Sequence, residues 1–114
     1  MSKLETRPWG TFEVLLDTPY TKVKQIIVHP GQRLSYQFHD KRAESWTIVH
    51  GVGLITIDDV TIEIDAGNSF FIPEKSKHRI ANLGEENLIF IETQIGTYFG
   101  EDDISRIEDD YSRE

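Results

Sequence analysis

The chain has 114 residues, no cysteine and a formal charge of -8, a length that supports one hydrophobic core and hence a single domain over 1–114. Its acidity argues against nucleic acid or an anionic membrane as partner, because both need a basic face. The missing thiols exclude disulfides, thiolate metal sites and cysteine nucleophiles. Any metal must therefore be held by imidazole, carboxylate or amide. The N-terminal MSKLETRPWG lacks the apolar run of a leader, and no segment approaches the ~18 apolar residues that cross a bilayer, so a soluble, cytoplasmic protein is expected.

In chain order, TFEVLL, KVKQIIVH, SWTIVHG, LITIDDVTIEI, SFFIP and NLIFIETQI alternate apolar and polar residues with the period of a strand. The turn signals HPGQ, HGVG, DAGN, PEKSK and NLGEEN separate them at intervals too short for an ordinary helix. LITIDDVTIEI reads as a hairpin around Asp58 and Asp59. The expected fold is all-β and antiparallel, a jelly roll or small barrel that leaves few edges open. The last fifteen residues, GEDDISRIEDDYSRE, hold much of the acid and read as a solvated tail, with Ile104 and Ile107 spaced for a short helix.

The stretch GQRLSYQFHDKRAESWTIVHG carries the chemistry. If SYQFH is a strand, Gln37 and His39 point to one face. Glu44 leads the next strand, and His78 follows the turn PEKSK. Gly31, Gln37, His39, Glu44 and Gly51 stand at the intervals of the first cupin motif, with Gln37 in place of its first histidine. Gly67, Pro73, His78 and Asn82 match the second motif, with Lys75 where its second glycine is usual. Two linked patterns at the right spacing make a specific signal. The chain thus resembles the cupins, and the resemblance implies a double-stranded β-helix.

Within the cupins the run Gln37-Phe38-His39-Asp40-Lys41-Arg42-Ala43-Glu44-Ser45-Trp46 resembles the Q-M-H-H-H-R-A-E-H-W of the type II mannose-6-phosphate isomerases, and RPWG, KVK and GEDDISRIEDDYSR extend the likeness along nearly the whole chain. The resemblance implies one divalent metal held by Gln37, His39, Glu44 and His78. A mixed nitrogen and oxygen set suits a divalent first-row metal, and ligand type alone does not choose among them; zinc is the first expectation, with cobalt, manganese, iron or nickel as alternatives. It further implies a sugar-phosphate substrate and conversion of mannose 6-phosphate to fructose 6-phosphate. Arg42, Lys24 and Arg106 are the candidate phosphate contacts, since a phosphate calls for guanidinium or ammonium groups. For Arg42 the other reading is a solvated turn arginine, for Lys22 and Lys24 a solvated strand face, and for Arg106 pairing with acidic neighbours. His29 and His50 match neither motif and are expected to be peripheral.

Asp40, Lys41 and Ser45 replace histidines of the family run. If the histidine after the ligand glutamate moves protons, this chain lacks it, which motivates a second reading as a metal-containing cupin that binds a sugar phosphate without turning it over. A homodimer is expected in either case, because TFEVLL or a neighbouring strand would otherwise leave an apolar edge open.

Overall fold

The computed structural model describes residues 3–111. Eleven strands form two antiparallel sheets: β1 (Lys3–Arg7), β2 (Gly10–Asp17), β3 (Thr21–Val28), β4 (Tyr36–Phe38), β5 (Arg42–His50), β6 (Val52–Ile57), β7 (Val60–Asp65), β8 (Ser69–Ile72), β9 (His78–Asn82), β10 (Leu88–Gly96) and β11 (Ser105–Glu108). The first sheet runs β1-β2-β3-β10-β5-β8 and the second β11-β4-β9-β6-β7. Each segment read from alternation lies in a strand, and the hairpin turns at Asp58 and Asp59, both with positive φ (47° and 71°). Two consecutive left-handed residues give the turn the twist that a two-residue hairpin requires.

Alternation along the central strands divides the space between the sheets into two halves. On β3 the inward residues are Lys24, Ile26 and Val28; on β10 they are Leu88, Phe90, Glu92 and Gln94; on β5 they are Glu44, Trp46 and Ile48. The register pairs Lys24 with Glu92, and Glu44 with Gln94. The apolar members continue into a core with Trp9, Phe12, Leu34, Ile55, Ile64, Ile72 and Ile80. Trp46 packs on Phe90 with ring centroids 4.6 Å apart. The polar members gather at the other end. Buried polar groups of this density occur where they serve one another or a ligand.

The motif positions have structural reasons. Gly51 has φ +94°, and a Cβ there would lie 2.7 Å from the carbonyl oxygen of Asn87, so both conformation and space demand glycine. Lys75, in the place of the second-motif glycine, has φ 70°, and its N–H donates to the His39 carbonyl at 2.7 Å. Asn82 is buried and donates its amide to the carbonyls of Val28 and Glu86, each at 2.8 Å, so it fastens a loop.

The C-terminal segment departs from expectation. There is no helix among the described residues, and Ser105–Glu108 is a strand that pairs with β4, setting Arg106 opposite Gln37. A short helix so rich in acid has no apolar stripe to bury and a costly nucleus, whereas β4 offers an unpaired edge. The segment is not a solvated tail either: Asp103 is buried and accepts hydrogen bonds from the N–H groups of Asp40 (3.0 Å) and Lys41 (2.9 Å). Among the described residues no helix is long and apolar enough to cross a membrane.

Candidate metal centre and its pocket

His39 follows β4, Glu44 lies near the start of β5, and His78 opens β9. One ligand atom from each of the three comes within 4.8 Å of the others, and all three residues are buried. Glu44 stands between the imidazoles: Oε2 is 3.3 Å from His39 Nε2 and Oε1 is 3.7 Å from His78 Nε2. His39 Nδ1 lies 2.7 Å from the carbonyl oxygen of Asp103, and His78 Nδ1 lies 2.9 Å from that of Ser76. A carbonyl only accepts, so both Nδ1 atoms carry a proton and the Nε2 atoms face Glu44; in the neutral ring it is Nε2 that presents the lone pair. This is how ligand histidines are commonly oriented.

A divalent cation fits these residues. His78 Nε2 is buried with no hydrogen-bond partner among the described residues, a cost that a bound cation would remove. Gln37 sits directly opposite His78 in the β4-β9 register, and its Oε1 accepts a hydrogen bond from Ser35 Oγ at 2.8 Å. Gln37 thus shares a sheet face with His78 and lines the pocket, with its amide oxygen engaged by Ser35.

Two donors fix Glu44. Trp46 Nε1–H donates to Oε1 at 2.9 Å, and Arg42 Nε–H donates to Oε2 at 2.7 Å. Burial alone would push the Glu44 carboxyl up, but His39, His78 and Arg42 outweigh it and bring it down to about 2. Burial lowers His39 from the ordinary histidine value, which favours the neutral ring. Arg42 also places Nη2 3.3 Å from His39 Nε2 and is itself buried, so it is a partner of the centre and not a solvated turn residue.

The pocket beside the centre is lined by His39, Gln37, Arg42, Lys24, Arg106 and Glu92, with Glu101 and Arg7 among the remaining residues. All three predicted phosphate contacts are therefore brought to one place. Lys24 is buried, while Lys22 is half-buried and lies 3.9 Å from Asp17. Arg106 does not merely pair with acidic neighbours: it is half-buried in the wall and its Nε has no partner among the described residues. His29 is exposed, and the exposed His50 pairs with Glu86 at 2.8 Å.

Glu92 was missed from sequence. Its side chain is buried and accepts from Gln94 Nε2 at 2.7 Å. Burial, and then the charge of Glu44, push its carboxyl up to about 8 against the pull of Lys24 and Arg42. The signal was present in the alternation of FIETQ, which puts Phe90, Glu92 and Gln94 on one inward face.

The replaced histidines do not strip this pocket. Asp40 and Lys41 are exposed. Ser45 lies between the inward Glu44 and Trp46, so its side chain points to the outer face, where its register partners are Thr93 and Phe71. A histidine at that position would face away from Glu44.

Comparison with known proteins gives the family and the fold. Residues 2–109 match the family described as mannose-6-phosphate isomerase C-terminal. Over 107 residues, or 94% of its length, the chain is 47% identical to the alginate biosynthesis protein AlgA of Pseudomonas aeruginosa, covering 22% of that protein. Over the same length it is 42% identical to a mannose-1-phosphate guanylyltransferase of Klebsiella pneumoniae, covering 23% of it. The chain thus spans less than a quarter of these curated relatives. Among solved structures, the capsular polysaccharide assembling protein CapF of Staphylococcus aureus matches with a TM-score of 0.79 at 24% identity, over 95% of this chain and 32% of that one. A Klebsiella pneumoniae protein with a double-stranded β-helix domain matches at 0.74 and 23% identity, over 83% and 81% of the two chains. The sheets have the cupin fold, and the chain belongs to the mannose-6-phosphate isomerase C-terminal family.

Proposed function

We propose that this chain is a metal-dependent aldose-ketose isomerase that interconverts mannose 6-phosphate and fructose 6-phosphate. The observation that carries the reading is the convergence of His39, Glu44 and His78 on one buried point at the side of a pocket whose wall holds Lys24, Arg42 and Arg106. Family membership supports the choice of substrate. The guanylyltransferase activity in the name of a longer relative is that protein's own and forms no part of this proposal.

His39, Glu44 and His78, with Gln37 beside them, would hold one divalent cation, zinc foremost. When bound, such a cation supplies charge stabilisation to an oxygen of the reacting sugar. The side chains do the rest. Lys24 and the guanidinium groups draw the phosphate to the pocket wall and fix the direction in which the sugar enters. The proton that moves between C1 and C2 needs an acceptor in the pocket. Glu92 lines it as a buried carboxyl group on the face that carries Gln94 and Lys24. Burial of Glu44, Glu92 and both imidazoles keeps bulk water from the reacting carbons.

Incubating the metal-loaded chain with mannose 6-phosphate and following fructose 6-phosphate tests the reading. Turnover that depends on about one divalent cation per chain and is lost in His78→Ala is expected. Binding of the sugar phosphate without turnover would replace the isomerase with a binding module. The outward direction of Ser45 favours the enzyme, because the missing histidine was the motive for the alternative.

A further inference from the structure

Lys24 is a buried ammonium, its side chain only 6% exposed, and such a charge needs a partner. The partner is Glu101, whose Oε2 accepts from Lys24 Nζ at 3.0 Å. Glu101 belongs to no strand. It lies between β10 and β11, its side chain is 57% exposed, and its Oε1 is 3.9 Å from Arg7 Nη2. The two cations are placed independently of it: Lys24 Nζ sits 4.2 Å from the ring centroid of Phe12, and the Arg7 guanidinium carbon 4.8 Å from the same ring. Phe12 is buried in the core. Arg7 Nη2 also donates to Glu5 Oε1 at 3.1 Å, so Glu101 is the partner of Lys24 and a second, more distant anion for Arg7; both cations are carried by strands, and Glu101 by the connecting segment at the pocket mouth.

Glu101 lines the pocket together with Lys24 and Arg7, so its carboxylate stands where an anion entering on those two cations would sit. A phosphate dianion offers more acceptor oxygens and more charge than a carboxylate, so it can replace Glu101 on the same two cations without leaving either unpaired. We propose that Arg7 and Lys24 form the phosphate subsite of this pocket, and that Glu101 is a resident anion that fills it until the substrate's phosphate displaces it. This assignment rests on the reading of the pocket as a sugar-phosphate site. Arg42 is placed differently: its Nε donates to Glu44 and its Nη2 lies on His39, which leaves Nη1 buried without a partner among the described residues and facing the same pocket wall.

The test is calorimetric titration of the full metal-loaded chain and of Glu101→Gln with inorganic phosphate, mannose 6-phosphate and mannose. Removing a half-exposed competing charge should tighten both phosphate ligands by about fivefold, the scale of an exposed ion pair, and leave mannose unchanged. Adding Lys24→Gln to Glu101→Gln should abolish the gain, and thermal unfolding of each variant separates this from loss of fold. Equal or weaker phosphate binding by a folded Glu101→Gln overturns the proposal, as does an equal gain for mannose. If the variant gains affinity for phosphate while neither protein makes fructose 6-phosphate, the subsite stands and the isomerase reading falls. If the native chain turns over mannose 6-phosphate and Glu101→Gln binds it no better, the isomerase stands and the resident anion falls.

Discussion

The main-chain oxygen of Asp103 accepts the Nδ1 proton of His39 at 2.7 Å, so residue 103 decides which ring nitrogen of residue 39 faces Glu44. The carboxylate of the same residue accepts from the N–H groups of Asp40 and Lys41, which holds the carbonyl in place. Asp103→Ala should leave those two N–H groups unpaired, costing about 1–3 kcal/mol of stability. Because the ring loses its fixed orientation, metal affinity should fall about 10–100-fold. Metal titration and denaturant unfolding of the variant check both figures, and native-like affinity in a destabilised variant would show that His39 is oriented by something else.

The two carboxyls of the centre should give the metal-free protein opposite pH slopes. Glu44 is held at about 2, below its ordinary 4.5, so its contribution to stability is present above 4.5 and is lost as pH falls towards 2. Glu92 is raised from 4.5 to about 8, so its contribution is present below 4.5 and is lost as pH rises through 8. Glu92→Gln should therefore gain stability relative to the native chain as pH rises from about 4.5 to 8. Urea midpoints of the two metal-free proteins across that window measure it, and a constant difference would contradict the assignment.

Ser45→His should leave turnover of mannose 6-phosphate unchanged. A positioned acid or base contributes about 10²–10⁴-fold, but strand alternation directs residue 45 to the outer face. A rise of that size in steady-state kinetics would mean that the side chain reaches the pocket after all.

Assembly is predicted from the outer strands. β1 pairs along β2 and so takes over the edge that TFEVLL would have left. Leu4, Leu15, Leu16 and Tyr20 nevertheless remain exposed around it. Covering this apolar surface with a second copy gives a homodimer, and sedimentation at micromolar concentration should show twice the chain mass. Replacing Leu4 and Leu16 with Lys should yield monomers.

Sequence reasoning reached the elements whose signal is local. The hairpin at Asp58 and Asp59 shows in alternation, and the meeting of His39, Glu44 and His78 follows from two spaced motifs on strands. What it missed depends on partners distant in the chain. Nothing within GEDDISRIEDDYSRE says that β4 has a free edge, and the composition favours solvent, so β11 and the buried Asp103 became visible only in the assembled sheets. Glu92 and Ser45 are a different case. The period of two was there to be read in both, but a residue-by-residue likeness to a family run drew attention to the neighbour of Glu44 and away from β10, whose register brings Glu92 to the pocket.

The strand β11 also sets an order of events in the making of the molecule. Gln37, His39, Glu44 and His78 are all synthesised well before Asp103 and Arg106, yet His39 takes its orientation from Asp103, and β4 gains its second neighbour only with β11. At about 5–20 residues per second, these side chains wait for seconds with their bearings incomplete. The orientation of His39 is therefore completed only once Asp103 has been made.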